Sequence, residues 1–273
     1  MKKLVCLILT LISVCVFAQD INDLKKIDSL ETVLNKTKSD TARLSALIKL
    51  GAQYAWIQDK KSFDINEEAI ALAKTLNRPY QQAQALSNIK DYYEFTNDTV
   101  NRKLYIEKIL NLGEESGYKR TLGMGNYEKA VYFWERSPEK AEYYFKKSIE
   151  YYSKTGEKNR LNATYLQFGY YYQTTVHDYN KAMYYYRLIG SLYDKNDMDL
   201  VSAYSAMAAI YTSMKEYDKV LQYNLMIEDL YILNKKTSSR YYDVLLNTIG
   251  SNYKELKNNK KTLEYFTASM RIV

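Results

Sequence analysis

A repeat of about forty residues runs through most of this chain of 273 residues and restricts its fold more than any other feature. Each copy holds a bulky residue, then an apolar residue followed by a small one, and then a second bulky residue that is usually Tyr. The small-residue sites are positions 51, 90, 130, 169, 208 and 250, so successive copies lie 39, 40, 39, 39 and 42 residues apart. This nearly constant spacing predicts tandem structural units, because each repeated segment folds into the same supersecondary unit.

A second apolar series in each copy indicates what that unit is. It contains pairs spaced by four residues, such as Ala141 with Phe145 and Ala182 with Tyr186. Residues four apart lie on one face of an α-helix. The chain has only 9 Gly and 2 Pro, and this scarcity of helix-breaking residues also favours helices. Each copy is therefore predicted to be a helical hairpin, in which a small residue such as Gly169 lets the second helix come close.

The spacing of these positions resembles the signature of the tetratricopeptide repeat (TPR) family. The copies that carry it most clearly are Leu47, Leu50-Gly51 and Tyr54; Tyr165, Phe168-Gly169 and Tyr172; Tyr204, Met207-Ala208 and Tyr211; and Leu246, Ile249-Gly250 and Tyr253. The resemblance implies an all-α fold, a right-handed α-solenoid of about six TPR-like helical hairpins. Lys90, Asn126 and Lys129 depart from the pattern in the second and third copies.

The predicted domain organisation follows from the repeat. The array covers residues 41–273, with repeats near 41–78, 80–118, 120–157, 159–196, 198–236 and 239–273. Residues 19–40 are predicted to form an N-terminal helix and a linker.

The first 18 residues have the pattern of a secretory signal peptide. Lys2 and Lys3 precede an apolar run from Leu4 to Phe17, and Ala18 supplies a small residue for cleavage. The run is shorter than the roughly 20 residues that a membrane span needs, and no later stretch is long and apolar enough for one. We therefore predict that the chain is cleaved, has no membrane span after cleavage, and is periplasmic or secreted.

The export signal and the array together also look like the exported N-terminal TPR sensor region of regulators in Bacteroidetes-type bacteria. That resemblance implies a role in signal transduction, as a sensory arm, or as an adaptor. In that group a membrane helix and an output domain commonly follow the array. The chain is thus expected to be either a shortened member or one whose last apolar face is covered by a partner or a second copy, at Leu263, Phe266 and Met270.

Catalysis and nucleic-acid binding are not indicated by the residues. The formal net charge is +7, but basic side chains alternate with acidic ones, as at Glu139-Lys140, so no nucleic-acid partner is predicted. His177 is the single histidine, and it has no second histidine or mature cysteine with which to share a zinc ion. It is predicted to be an exposed turn residue. We therefore predict a protein that is not an enzyme and has no metal site and no cofactor.

The predicted binding surface is the concave groove that the first helices of TPR hairpins line in the family. Aromatic side chains among amides and a few acids suit a peptide or a small polar ligand. The candidate contacts with a protein segment or ligand are Trp56, Gln84, Asp91, Phe95, Tyr127, Trp134, Tyr170, Gln173 and Asn247. For Trp56 and Trp134 the alternative is packing inside a hairpin. The rival function is an outer-surface carbohydrate-binding or processing protein, for which the sequence offers only scattered tyrosines.

Three short triplets have two interpretations. Asp28-Ser29-Leu30, Asp40-Thr41-Ala42 and Asp98-Thr99-Val100 resemble an acceptor motif for O-linked glycans on exported proteins of the same bacteria. Asp40 and Asp98 are also predicted to be helix caps, because Asp is a preferred residue at that position.

Overall fold

The computed structural model of the protein describes residues 22–271. Within that range the chain is helical throughout and contains no β-strand. The predicted export segment lies outside the described residues. The helices are α1 (22–36), α2 (Asp40–Trp56), α3 (Lys61–Thr75), α4 (Pro79–Phe95), α5 (Thr99–Ser116), α6 (Lys119–Phe133), α7 (Pro138–Ser153), α8 (Lys158–Tyr171), α9 (Tyr179–Gly190), α10 (Leu200–Ser213), α11 (Tyr217–Leu233), α12 (Arg240–Glu255) and α13 (Asn259–Ser269), with a π-helical turn at Tyr172–Val176 after α8.

The helices form two compact units, which meet in sequence at the end of α6, between residues 132 and 133. In the first unit, α2 packs against α3 and α4, and α4 also packs against α3 and α5. In the second unit, every helix from α7 to α13 packs against the next one along the chain. The predicted all-α fold of consecutive helical hairpins is thereby confirmed; the six repeat boundaries stay predictions.

Where the small-residue site is a glycine, it is the place at which the two helices of a hairpin touch. Gly169 on α8 lies under the ring of Tyr186 on α9, and Gly250 on α12 lies under the ring of Phe266 on α13. A Cβ atom at Gly250 would lie 2.7 Å from that ring, which is closer than real carbon contacts. A side chain at either position would therefore push the second helix away.

The second bulky residue of the repeat marks the place where the first helix ends. The backbone N–H of Asn258 donates to the carbonyl of Tyr253 at 2.8 Å, and Lys257 between them has a φ of 58°. This is the left-handed helix ending in which a later N–H satisfies a carbonyl of the last turn. The same bond links Asp59 to Tyr54, Asp98 to Tyr93, and Glu216 to Tyr211. After the π-helical turn the bond is one residue longer, from the N–H of Asp178 to the carbonyl of Tyr172.

Three predictions about residues at helix ends have different outcomes. His177 is an exposed residue in the left-handed conformation after the π-helical turn, so its prediction as a turn residue is confirmed. The carboxylate of Asp98 accepts a hydrogen bond from the backbone N–H of Asn101 at 3.0 Å, which confirms it as a helix cap. For Asp40 the prediction is wrong: Ser39 is the N-cap residue and Asp40 is the first residue of α2. An acid in the first turn still interacts favourably with the helix dipole.

Candidate functional site

The nine residues predicted to line the groove are divided between the two units. Five lie in the first unit: Trp56 on α2, Gln84, Asp91 and Phe95 on α4, and Tyr127 on α6. Four lie in the second: Trp134 just after α6, Tyr170 on α8, Gln173 in the π-helical turn, and Asn247 on α12.

An exposed aromatic pair is the main feature of the first unit. The rings of Trp56 and Phe95 meet edge to face, with their centroids 5.4 Å apart. Trp56 is 54% exposed and Phe95 is 38% exposed. The alternative that Trp56 packs inside a hairpin is therefore wrong. Large aromatic side chains of this kind supply much of the binding energy in protein interfaces. The structure thus brings two of the predicted residues together on adjacent first helices.

A buried carboxylate holds the indole of this pair in place. The Nε1–H of Trp56 donates to the carboxylate of Asp23 on α1 at 3.2 Å. Asp23 is buried and also accepts from the amide of Gln53 at 3.2 Å and the amine of Lys26 at 3.3 Å. Sequence reasoning missed Asp23, since it precedes the repeats and no local pattern connects it with α2.

An ion-pair network adjoins the aromatic pair along α4. Lys90 is buried, and its Nζ atom lies 2.9 Å from a carboxylate oxygen of Glu128 on α6. The same amine lies 2.5 Å from Asp91 and 3.2 Å from Glu94. Lys90 is the residue that replaces the small side chain in the second copy of the repeat. The departure noted in the sequence is therefore a cation that pairs with an acid of the following repeat.

The network changes the ionisation of its members. Burial disfavours the charged form of Lys90, but Glu128, Asp91 and Glu94 outweigh it and raise the pKa of its amine well above the ordinary value. Burial raises the pKa of Asp91 to about 6, while the charge of Lys90 lowers that pKa and the charges of Glu128 and Glu94 raise it further. The carboxylates of Asp91 and Glu94 are partly exposed, and both residues lie on α4 within one turn of Phe95.

A cavity of about 790 Å³ lies between α1 and α2. Its charged lining residues are all basic: Lys25, Lys26 and Lys49. Ala52 also lines it, one helical turn before Trp56. The exposed aromatic pair of the first unit thus has basic side chains towards α1 and acidic ones along α4.

In the second unit, Trp134 joins an aromatic cluster instead of standing exposed. Its Nε1–H donates to the hydroxyl of Thr175 at 2.7 Å, and its ring centroid lies 5.4 Å from that of Tyr171, which is buried. Tyr170, with a centroid distance of 5.8 Å to Trp134, is half exposed. The packing alternative therefore fits Trp134, while Tyr170 offers an exposed ring beside it.

The remaining predicted residues serve local contacts. The side-chain oxygen of Gln173 accepts a hydrogen bond from the hydroxyl of Tyr186 at 2.9 Å, so this amide faces its own hairpin. Asn247 is exposed and donates to a carboxylate oxygen of Asp243 at 3.3 Å. Gln84 and Tyr127 are partly buried on α4 and α6. The structure does not bring Gln173 and Asn247 together.

A second cavity, of about 550 Å³, lies between α10, α11 and α12 and was not anticipated from the sequence. None of the nine predicted residues lines it. Its lining residues are Val201, Ser205, Ala208, Ala209, Thr212, Val220, Asn224, Ile227, Tyr231, Tyr241, Val244, Leu245, Thr248, Ser251 and Asn252.

Residues 22–271 contain neither a cluster of metal-binding side chains nor a helix that could span a membrane. In that part of the chain, no three or more acidic, histidine or cysteine side chains are grouped so that they could hold a metal ion. None of the helices there is long and apolar enough to cross a bilayer.

Comparison with known proteins shows the fold. No family model matches the chain, and no curated protein matches its sequence significantly. The crystal structure of BtubC (BKLC) from P. vanneervenii is similar, with a TM-score of 0.58 and 16% identity over 80% of this chain and 92% of that one. The apo form of RapI has a TM-score of 0.53 and 15% identity over 93% of this chain and 70% of that one. The quorum sensor NprR from B. thuringiensis, also in its apo form, has a TM-score of 0.46 and 16% identity over 94% and 84% of the two chains. The fold is that of TPR-like helical repeat proteins.

Proposed function

We propose that this TPR-like chain is a non-catalytic scaffold that binds a segment of a partner protein across the first helices of its first unit. The observation that carries the proposal is the edge-to-face pair of Trp56 and Phe95, two large aromatic side chains that remain exposed on neighbouring helices. A folded chain gains little by leaving such rings in water, whereas an interface gains much by covering them.

The charges around the pair define the segment that would fit. The side towards α1 carries Lys25, Lys26 and Lys49, and the side along α4 carries the partly exposed acids Asp91 and Glu94. Complementary charge at the rim of an interface favours the correct orientation and speeds association. The matching segment has an apolar residue for the aromatic pair, an acidic residue on one side of it and a basic residue on the other.

We also propose that the chain is exported and acts as the sensory arm of a regulatory protein or as an adaptor. The signal-peptide pattern of residues 1–18 supports export. Mass spectrometry of the protein recovered from its native cells should show a mature N-terminus at Gln19. An intact Met1 on the bulk of the protein would overturn the proposed export while leaving the binding proposal untouched.

Selection of short random peptides on the purified full chain tests the binding proposal. Replacing Trp56 with Ala should lower the affinity of the chain for the selected peptides by roughly thirtyfold, which is typical of an interface hot spot. Tyr118→Ala is the matched control, because it also truncates an exposed aromatic residue of the first unit. It should leave affinity unchanged. If no peptide is selected, or if Trp56→Ala binds every selected peptide as tightly as the parent chain does, the proposal is wrong.

A further inference from the structure

The cavity between α1 and α2 has a lining that selects for negatively charged groups. Its volume of about 790 Å³ is within the range of sites that hold small molecules or the side chains of a bound segment. Its charged lining residues, Lys25, Lys26 and Lys49, are all basic, and no acid among the described residues lines it. A carboxylate between ammonium groups gains charge-assisted hydrogen bonds, whereas a cation is repelled there. The lining therefore favours an anionic occupant.

Two of these lysines have no acidic partner in the described part of the chain. Lys25 and Lys49 are exposed, and neither forms an ion pair with another described residue. Lys26 lies 3.3 Å from Asp23, whose buried carboxylate also accepts a hydrogen bond from Trp56. The acid of α1 that reaches this region is thus occupied, and the amines of Lys25 and Lys49 are available to a ligand.

A single stripe on α2 joins the cavity to the exposed aromatic pair. Lys49, Ala52, Gln53 and Trp56 follow one another at intervals of three, one and three residues, so they lie on one face of the helix. The first three line the cavity. Ala52 is exposed and small, so another chain can lie close to the helix there. Gln53 and Trp56 donate to the same carboxylate, that of Asp23. The cavity and the aromatic pair are therefore neighbouring parts of one surface in the first unit.

The length of this stripe sets the spacing of the groups that an occupant must carry. Lys49 and Trp56 are seven residues apart, which corresponds to about 10 Å along a helix that rises about 1.5 Å per residue. An extended polypeptide advances about 3.3 Å per residue, so it covers that distance in about three residues. A segment with an apolar residue on Trp56 would thus carry its acidic residues about three positions away.

The charges of α1 favour a polypeptide segment over a nucleic acid or an anionic membrane. The helix, residues 22–36, contains three acidic residues and three lysines, so it has no net positive charge. Polyanions bind through many phosphate contacts to a broad basic surface. The positive charge in the cavity is local by comparison, and it matches the few carboxylates that a short acidic segment presents.

We propose that the cavity between α1 and α2 binds the acidic part of a partner protein segment, in which carboxylates pair with Lys25 and Lys49 about three residues from the apolar residue that covers Trp56. The inference rests on the proposed function, since it assumes a protein partner and uses the aromatic pair as its second contact. It goes further than that function by assigning the acidic residues to a defined cavity and by fixing their distance from the apolar residue.

Charge reversal on the full chain tests the inference with a peptide from the same selection. The peptide is synthesised with its acidic residues and again with lysine at those positions. Lys25→Glu/Lys49→Glu should bind the acidic peptide about tenfold more weakly than the parent chain does, and the lysine peptide more tightly. Lys74→Glu/Lys103→Glu is the matched control, because both lysines are exposed and lie on the second helices α3 and α5. It should bind both peptides as the parent chain does, and circular dichroism checks that both variants fold.

The outcomes separate this inference from the function proposed above. If the selected peptides depend on Trp56 but show no excess of acidic residues about three positions from an apolar one, the cavity inference fails and the scaffold function stands. If charge reversal and its control change the affinities alike, or if reversal does not improve binding of the lysine peptide, the inference also fails. If no peptide binds the chain at all, both proposals fail.

Competition with a different anion tests the class of occupant. A single-stranded DNA oligonucleotide, added to the full chain at the same concentration of negative charge, should not displace the acidic peptide. Displacement would show that the cavity attracts anions in general, and it would overturn the assignment of a polypeptide segment.

Discussion

The second and fourth copies of the repeat use the same position in opposite ways. In the fourth copy Gly169 lies under the ring of Tyr186, so the position serves contact between the two helices of one hairpin. In the second copy Lys90 occupies it, and its amine reaches Glu128 on α6, the first helix of the following copy. The comparison shows that a repeat position can connect helices within a hairpin or between hairpins. Which of the two occurs depends on side-chain length and on the available partner.

The two arrangements also differ in the interactions that stabilise them. Around Gly169 the contacts are aromatic: Phe168 stacks on Phe145 with centroids 4.7 Å apart, and Tyr185 lies 4.3 Å from Phe168. When one side chain in apolar packing of this kind is trimmed, the loss of stability grows with the volume that is removed. A buried ion pair behaves differently, because removing one partner leaves the other charged and unpaired. The free energy of unfolding should therefore fall more when one side chain of the second copy's ion pair is removed than when one side chain of the fourth copy's packing is trimmed.

Breaking the ion pair should have the largest effect. Lys90→Met should lower the free energy of unfolding by about 3–5 kcal/mol, because Glu128 would remain buried without its cation. The double variant Lys90→Met/Glu128→Leu should recover most of that loss, since both charges are then gone. Urea unfolding measures both free energies. A double variant no more stable than Lys90→Met would show that the pair is not the source of the loss.

Filling the small-residue site of the fourth copy should have an intermediate effect. Gly169→Leu should cost about 1–3 kcal/mol, because its side chain overlaps the ring of Tyr186 and separates α8 from α9. Gly190→Leu is the control: it also lies in the fourth copy, but nothing stands within 4 Å of the position of its Cβ. Equal thermal denaturation of the two variants would contradict the packing role of position 169.

The acid beside Lys90 should give the second copy a distinctive pH dependence. The folded chain holds the proton of Asp91 up to a pKa of about 6, whereas the unfolded chain releases it near 3.8. Between these values the folded state binds more protons, so this group lowers the free energy of unfolding as the pH rises from 3.8 to 6. Asp91→Asn should make that decline shallower, as measured by urea unfolding across this range. An identical slope in the variant would show that Asp91 titrates normally.

The helix endings are alike in both units and should give the smallest effect. Asn97 in the first unit and Lys257 in the second both have a φ of 58°. Glycine adopts this conformation without steric cost, and Asn tolerates it better than Lys does. Lys257→Gly should therefore raise the free energy of unfolding by about 0.5–1 kcal/mol, and Asn97→Gly by less. The melting temperatures of the two variants check the order, and a larger gain at Asn97 would contradict it.

Sequence reasoning succeeded where a contact repeats and stays within one hairpin. It predicted helical hairpins with a small residue where the two helices come close, from positions that recur in most copies, and Gly169 and Gly250 show that contact. It did not reach the hydrogen bond from Trp56 to Asp23, because that contact joins the array to a helix that carries no repeat pattern. Asp40 was mistaken for a cap because Ser39 and Asp40 are both good capping residues and only backbone geometry separates them.

The sequence by itself determined that this protein consists of helical hairpins, and that glycines such as Gly169 lie where two helices come close. Those features depend on residues a few helical turns apart, and the periodic spacing of these residues in the sequence predicts them. Only the tertiary structure decided that Lys90 meets Glu128, and that Lys25 and Lys49 line one cavity. The physical reason is that these pairs lie on different hairpins or on separate helices of the stack. Their meeting depends on the register in which the helices pack, which no local pattern records.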